Sequence, residues 1–437
     1  MPLIDRIRSH DFAPYVYAYP PTRTYLPIVD FSVARPVFSK NLNVYIHIPF
    51  CEQKCTFCGY LTVIDGKGDL QERYVDCIIK EILMQRSILE SSYITNINFG
   101  GGTPSLLTTE QFGKIMAILT EVNPAILSTA KEISIEATPE SIQSGKISAF
   151  KSLGINRVSV GIQTFNDTEI ELSKRHNLAN ISVRAVNLLK DIGIPNICCD
   201  LMYGLASQTF TSWSSSVMGL LELRPDTIEL YSTVTIPNTP LAKLKIQGMG
   251  NQERLQCYEF ARDIFLKAGY SQDCHLRFVI PGKGGYLQQE NVFAGESLLG
   301  FGVGSRSYAI NMHYRNSYSQ KHRDALTDYL RVIQSGRLAV SSAVLLTEEE
   351  QMRRFAIYNI EHLNKARFQA QFRMNFEDKF PEEYQELIEL GLAQDDGLTI
   401  TLTHKGLAFR DVVASNFFSK NTAEQESSYW TTAPATI

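Results

Sequence analysis

Short apolar, β-branched runs recur along the first half of the chain, each followed by a stretch whose apolar positions return every three or four residues. The runs are 43–49 "NVYIHIP", 95–99 "TNINF", 132–137 "EISIEA", 157–162 "RVSVGI", 196–202 "NICCDLM" and 227–233 "TIELYST". The amphipathic stretches fall near 69–90, 108–122, 139–152, 180–193, 209–222 and 251–268. Strands alternating with helices in series predict a parallel sheet with right-handed crossovers. The runs alternate less than half-exposed strands do, as expected when both faces are covered. The fold class expected is α/β, a partial (β/α)6 barrel of the TIM type with a C-terminal, winged-helix-like domain.

Polar signatures gather at the carboxyl ends of these runs, where barrels of this kind carry their chemistry. Three cysteines follow the first run, "FGGGTP" (99–104) the second, Glu136 ends the third, Gln163 follows the fourth and Asp200 lies in the fifth. Unrelated structural residues would not line up on one rim.

Beyond residue 340 the pattern turns helix-rich and then reaches "GLAQDDGLTITLTHKG" (391–406), where Asp396-Gly397 between apolar runs predicts a tight hairpin. The expected organisation is an arm over 1–40, the partial barrel over 41–270, a barrel extension and connector over 271–340, a winged-helix-like module over 341–420 and a disordered polar tail over 421–437. From 345 to 420 there are nine Lys+Arg against thirteen Asp+Glu, a balance of −4 that argues against DNA docking and for a lid or docking role.

The 437 residues, 44% hydrophobic and 20% charged, have ordinary globular composition. A net charge of −4 lacks the positive field that nucleic acid requires. The opening "MPLIDRIRSHDF" has no secretory core and no apolar run reaches the ~18 residues of a membrane span, so a soluble cytoplasmic protein is expected, with neither nucleic acid nor membrane as partner. Eight cysteines are too few for a disulfide scaffold of this length and fit a reducing compartment.

Three of the eight lie together in "IHIPFCEQKCTFCGY" (46–60). Thiolates bind soft metals, and a cubane iron–sulfur cluster takes one ligand per iron. Cys51, Cys55 and Cys58 would hold three irons and leave a fourth open to a ligand. A Cys₃His zinc site completed by His47, or plain buried cysteines, is the alternative. In "GGGTP", glycines without Cβ let the backbone approach a ligand closely. A plain turn is the alternative there, and the G-x-G-x-x-G spacing of a dinucleotide loop is absent. Asp200, the one charge in its apolar strand, needs a partner if buried, either a ligand hydroxyl pair or the Arg175 guanidinium.

The C-x₃-C-x₂-C spacing after the first strand resembles the radical S-adenosylmethionine superfamily. "YIHIPFCEQKCTFC", "NFGGGTPSLL", "EISIEATPE", "RVSVGIQTFND", "CCDLMYGL" and "LLGFGVGSRS" together resemble the oxygen-independent coproporphyrinogen oxidase family and its relatives, in order from about 43 to 310. The resemblance implies a [4Fe-4S] cluster on Cys51, Cys55 and Cys58, whose free iron chelates S-adenosylmethionine, and a one-electron donor such as flavodoxin or ferredoxin. It further implies two S-adenosylmethionine molecules. Tyr45, Gly101 and Glu136 would contact the first, and Phe57, Gly102, Thr103, Gln163, Arg175, Asp200 and Val234 the second. In a purely structural reading Glu136 is a strand-end carboxylate that caps a neighbouring helix.

Where the oxidases carry a further cysteine two positions after the third ligand, this chain has Tyr60; "LRFVIP" (276–281) replaces a His-Phe-Ala stretch; Arg306 stands at a position that is apolar in the oxidase. These departures fall on the substrate side. They shift the first expectation toward the family's C-methyltransferase and cyclopropanase relatives, acting on a flat, unsaturated small molecule. Oxidative decarboxylation of porphyrinogen propionates is second, with Arg175, Arg277 or Arg306 receiving carboxylates. A haem-trafficking protein is third, since this chain has Glu290-Asn291 where the haem-binding branch has His-Asn; His275 would be the substitute axial ligand.

Overall fold

The computed structural model describes residues 3–8, 16–28, 35–65, 68–175, 178–235, 239–243 and 248–431. All six apolar runs are strands: β1 (Asn41–Ile48), β2 (Tyr93–Gly101), β3 (Glu132–Ala137), β4 (Arg157–Gln163), β5 (Asn196–Tyr203) and β6 (Thr227–Ser232). They are hydrogen-bonded in sequence order and parallel throughout. β7 (Arg277–Val279) runs antiparallel beside β6. A strand that the sequence pattern did not single out, β8 (Ser297–Phe301), pairs in parallel on the other side of β1. It then continues into the antiparallel β9 (Arg306–Tyr308), β10 (Met312–Asn316) and β11 (Val340–Leu345). The result is an open, curved, thirteen-stranded sheet rather than a closed barrel.

The two faces of the parallel strands differ. Outward positions such as Ile97, Phe99, Ile135, Val158, Val160 and Leu201 are fully buried under the helices and form the main core. Inward positions are polar, and the parallel register lines up Tyr45, Asn98, Ser134 and Arg157 in one row across β1 to β4. Covering by helices outside and a polar but largely buried interior, with Asn98, Ser134 and Arg157 all buried, explains why the runs do not alternate as half-exposed strands do. The amphipathic stretch 69–90 divides at Gln85 into helices Asp69–Met84 and Arg86–Ser91.

After residue 346 the chain forms helices Glu348–Asn359, Lys365–Phe372 and Pro381–Glu389 and a small antiparallel sheet of His362–Asn364, Thr399–Leu402 and Ala393–Asp395. The expected Asp396-Gly397 turn is present, with Gly397 at φ +90° and Asp396 Oδ1 accepting from the amides of Leu398 and Thr399 at 2.9 and 2.8 Å. This module has its own core, and Leu3, Ile7, Val16 and Tyr19 of the N-terminal arm belong to it. The tail departs from expectation. Residues Lys420–Thr431 are helical rather than disordered, and Glu426 pairs with Arg23 of the arm, whose guanidinium stacks 3.7 Å from the Tyr429 ring. Polar composition kept this helix out of the apolar pattern, because it is held by charge and stacking. Residues 432–437 lie outside the described residues.

The barrel meets the module through a buried ionic contact. Glu361 accepts from the His275 backbone amide and from His275 Nδ1, both at 2.8 Å, and Arg410 Nε lies 3.2 Å from the same carboxylate. Burial disfavours the imidazolium, but Glu361 and Asp411 hold the His275 pKa at about 10.

Candidate active site

The three cysteines leave β1 in a loop that turns back on itself, with the Cys58 amide donating to the Cys55 carbonyl at 3.2 Å. The loop is pinned on one side by Thr56, whose amide donates to Ser173 O and whose carbonyl accepts from the Leu241 amide. On the other side "GGGTP" packs against it: Gly102 N donates to Ile48 O and Thr103 N to Phe50 O, both at 2.8 Å, and Thr103 Oγ1 lies 3.5 Å from Cys51 Sγ.

Two observations bear on the zinc alternative. Tetrahedral zinc with Zn–S near 2.3 Å would bring its sulfurs to about 3.8 Å of one another. The three thiols do not gather within 4.8 Å; among the described residues the one trio that does is Cys274, His275 and Glu361. His47, the proposed fourth zinc ligand, uses both ring nitrogens, Nδ1 with Tyr45 OH at 3.0 Å and Nε2 with Leu61 O at 3.3 Å. Burial pushes its pKa down to about 4. It is a neutral core residue beneath Gly101. Burial pushes Cys51 up to about 11 and Cys58 up to about 12, and raises Cys55, so the loop holds thiolates only opposite strong positive charge. With His47 committed to Tyr45 and Leu61, the three thiols are left as a three-ligand set, the number a cubane cluster with one open iron takes.

Gly101 and Glu136 form the floor of the cradle. Gly101 has φ +118°, a left-handed value that favours glycine, and a Cβ there would stand 2.5 Å from the His47 ring. Its amide donates to Glu136 Oε2 at 2.9 Å, while Tyr45 and Glu136 both abut Gly100, leaving no room for a side chain. Burial raises the Glu136 pKa. The helix-capping reading of Glu136 is therefore replaced by a carboxylate bound to the glycine strand itself.

Gln163, Arg175 and Asp200 meet around Gly161. Arg175 Nη2 donates to Gly161 O at 2.6 Å, Gly161 is in register with Asp200, and the Gln163 amide folds back over Gly161 from a left-handed φ of +72°. Such a φ on a non-glycine residue marks strain that ordinary packing does not call for. Asp200 accepts from Ser159 Oγ at 3.3 Å and Cys198 Sγ at 3.7 Å. Burial, and then the neighbouring Glu229 charge, push its pKa up to about 8 against the pull of Arg157. Phe57 and Val234 are half-buried on the same rim and make no hydrogen bond or ring contact with the other site residues among those described.

Sequence reasoning missed the ionic floor under this rim. Glu229 pairs with Arg157 at 3.5 Å and Arg277 at 3.1 Å, and although burial opposes its charge, those guanidiniums keep its pKa low. Arg157 also stacks 4.6 Å from the Tyr286 ring. Glu229 carried the same signal as Asp200, a lone charge in an apolar strand. Arg277, expected as a carboxylate receptor, is instead spent on Glu229, Asp273 and Gln289.

Residues 45–214 match the model of the radical SAM superfamily. The haem chaperone HemW of Synechocystis sp. is 30% identical over 292 residues, 63% of this chain and 69% of that protein. The chain belongs to the radical SAM superfamily and to its coproporphyrinogen III oxidase-like family. The oxygen-independent coproporphyrinogen III oxidase of Escherichia coli (strain K12) is 28% identical over 387 residues, 84% of this chain and 83% of the relative. The haem chaperone HemW of Lactococcus lactis is 27% identical over 387 residues, 87% and 98%. The solved structure of the coproporphyrinogen III oxidase (HemN) from Escherichia coli matches with a TM-score of 0.81 and 25% identity, covering 92% of this chain and 96% of that one.

These findings correct the first functional expectation. The similar curated proteins are oxidases and haem chaperones, matched across most of their length, and not methyltransferases. The substitutions at Tyr60, 276–281 and Arg306 therefore do not by themselves move the chain out of that group. Membership implies a [4Fe-4S] cluster and S-adenosylmethionine. Among the described residues no helix is long and apolar enough to cross a membrane.

Proposed function

We propose that this chain catalyses oxidative decarboxylation of the coproporphyrinogen oxidase type, converting a propionate side chain of a porphyrinogen into a vinyl group. The observation that carries this reading is the likeness to the Escherichia coli oxidase over nearly the whole chain, at a TM-score of 0.81. When bound, a reduced cluster and S-adenosylmethionine supply a 5′-deoxyadenosyl radical able to take hydrogen from carbon. The propionate R–CH₂–CH₂–COO⁻ would give R–CH=CH₂ and CO₂ by passing one hydrogen atom to the 5′-deoxyadenosyl radical, which leaves as 5′-deoxyadenosine, and one electron to an external one-electron acceptor of the flavodoxin or ferredoxin class.

The residues divide the work. Cys51, Cys55 and Cys58 would ligate the cluster, with Thr103 donating to Cys51. Tyr45, Gly101 and Glu136 would receive the amino-acid end of S-adenosylmethionine, since Glu136 sits where a carboxylate can meet an ammonium and the glycines admit close approach. A second S-adenosylmethionine would lie over Phe57, Gly102, Thr103, Gln163, Arg175, Asp200 and Val234. Support for that assignment is the meeting of Gln163, Arg175 and Asp200 around one glycine.

The test is anaerobic reconstitution with iron and sulfide, then dithionite, S-adenosylmethionine and coproporphyrinogen III. The expected outcome is 5′-deoxyadenosine formation that rises with substrate and a product lighter by CO₂ and two hydrogens per converted propionate. Unchanged coproporphyrinogen beside vigorous cofactor cleavage would overturn the reading. The haem-chaperone reading draws on the 98% coverage of the Lactococcus lactis relative. It predicts stoichiometric haem binding without turnover, but His275, its candidate ligand here, is committed to Glu361.

A further inference from the structure

One face of the β9–β10 pair carries two arginines directly opposite one another. Arg306 is in register with Arg315, and β9 lies against Gly300 of β8, which is itself in register with Tyr45 of β1. The two guanidiniums therefore stand in the inward row that leads to the glycine cradle. Like charges opposite on an antiparallel pair repel. Burial, and then the Arg306 charge, lower the Arg315 pKa. Among the described residues neither arginine has a carboxylate partner; the groups acting on Arg306 are the phenols of Tyr17, Tyr308 and Tyr25.

The surroundings offer neutral groups but no anion among the described residues. Arg306 is hydrogen-bonded to the neutral Tyr308 phenol and lies 4.9 Å from the Tyr17 ring, Arg315 stacks 3.8 Å from the Tyr318 ring while its Nε makes no hydrogen bond, and the buried Tyr25 hydroxyl and His313 Nδ1 are also unpaired. By contrast, Arg157 and Arg277 are matched by Glu229 and Arg175 by the Gly161 carbonyl. Space is present on this side as well. Tyr60, whose phenol feels the charges of Tyr17, Glu136, Cys58 and Arg306, is 60% exposed rather than packed in the core. Tyr17 and Tyr25, both acting on Arg306, come from the N-terminal arm, which thus borders this side of the sheet.

We infer that Arg306 and Arg315 form a carboxylate-binding subsite that fixes one acidic side chain of the substrate, with Tyr17 and Tyr25 of the arm as its wall. Two adjacent planar forks offer bidentate hydrogen bonds to a carboxylate, whose charge would relieve their repulsion. The inference rests on the decarboxylase reading and adds to it the residues that select the substrate and orient it. A carboxylate is also present on S-adenosylmethionine, so the test separates the two sources.

The probes are coproporphyrin III and its tetramethyl ester, titrated by fluorescence against the reconstituted protein, with S-adenosylmethionine binding measured by equilibrium dialysis. Wild type should prefer the tetra-acid. Arg306→Leu and Arg315→Leu should each weaken tetra-acid binding about tenfold to a hundredfold, as loss of a charged hydrogen-bond pair does, while binding of the ester and of S-adenosylmethionine stays within about twofold. Arg306→Lys keeps the charge and guards against misfolding, and should fall between wild type and Leu. Equal affinity of wild type for acid and ester, or loss of S-adenosylmethionine binding with porphyrin binding intact, overturns the inference. Because these are binding measurements, a failure to turn over coproporphyrinogen would count against the decarboxylase reading and leave this result separate.

Discussion

Gly102→Ala is the sharpest single perturbation of the cluster loop. A methyl group on Gly102 would stand 2.6 Å from Phe50 O, 2.9 Å from Pro49 C and 3.0 Å from Cys51 Sγ. Ordinary carbon–oxygen contact needs ~3.2 Å, so the Pro49–Cys51 backbone must retreat by about 0.6 Å. It cannot do so freely, because Gly102 N→Ile48 O and Thr103 N→Phe50 O, each 2.8 Å, tie the two strands together. Overpacking costs about 1–3 kcal/mol, and each weakened hydrogen bond adds about 1 kcal/mol. The fold should survive in a chain of this size. Function should not, since a displacement approaching 1 Å of a positioned reacting group costs on the order of a hundredfold in rate. The assay pairs iron and sulfide content with the rate of 5′-deoxyadenosine formation under dithionite. The expected result is a folded protein with reduced iron content and a rate down by about two orders of magnitude. An Ala variant with wild-type iron content and rate would refute the argument that glycine is required there by contact with the cysteine loop.

Replacing Cys51, Cys55 or Cys58 by Ala should abolish the ~400 nm absorbance and the electron paramagnetic resonance signal expected of a thiolate-bound cluster; retained turnover would end the radical reading. Asp200 titrates near 8 in the fold against 3.8 for the free residue, so it takes up protons on folding, and stability should fall as pH rises from about 4 through 8. Asp200→Asn should flatten that decline in urea melts. It should also lower S-adenosylmethionine stoichiometry toward one per chain, and an unchanged stoichiometry would count against a second site there. At the junction, the His275 pKa is raised from 6.5 to about 10, so its contribution is complete below about pH 6.5 and is lost as pH rises through 10. Glu361, held down to about 2 by His275 and Arg410 despite burial, contributes above about pH 4.5 and loses that as pH falls to 2. Glu361→Gln should cost about 3–5 kcal/mol at pH 6 by leaving buried cations unpaired, with a gap that narrows toward pH 10; a pH-independent gap would contradict the ion pair.

The strand order was legible because each run is short, apolar and β-branched, and the chemistry was legible because its residues are exceptions to that pattern: thiols after β1, three glycines at the end of β2, a lone Asp in β5. Local chain chemistry determines those features, and the spacing of Cys51, Cys55 and Cys58 or of Gly100 to Gly102 needs no distant partner to be recognised. What the pattern did not contain is whatever depends on strands far apart in sequence meeting side by side. β8 returns 255 residues later to pair with β1, and only that pairing places Arg306 and Arg315 in the row of Tyr45. Arg157, Glu229 and Arg277 satisfy one another across three strands, which turned Arg277 from a candidate substrate ligand into part of the floor. The tail helix is fixed by Arg23 on the arm. Charge pairing and register are non-local, so the sequence by itself determined the parallel barrel and the cluster loop, while the tertiary structure decided which buried charges are neutralised within the fold and which are left to meet a ligand.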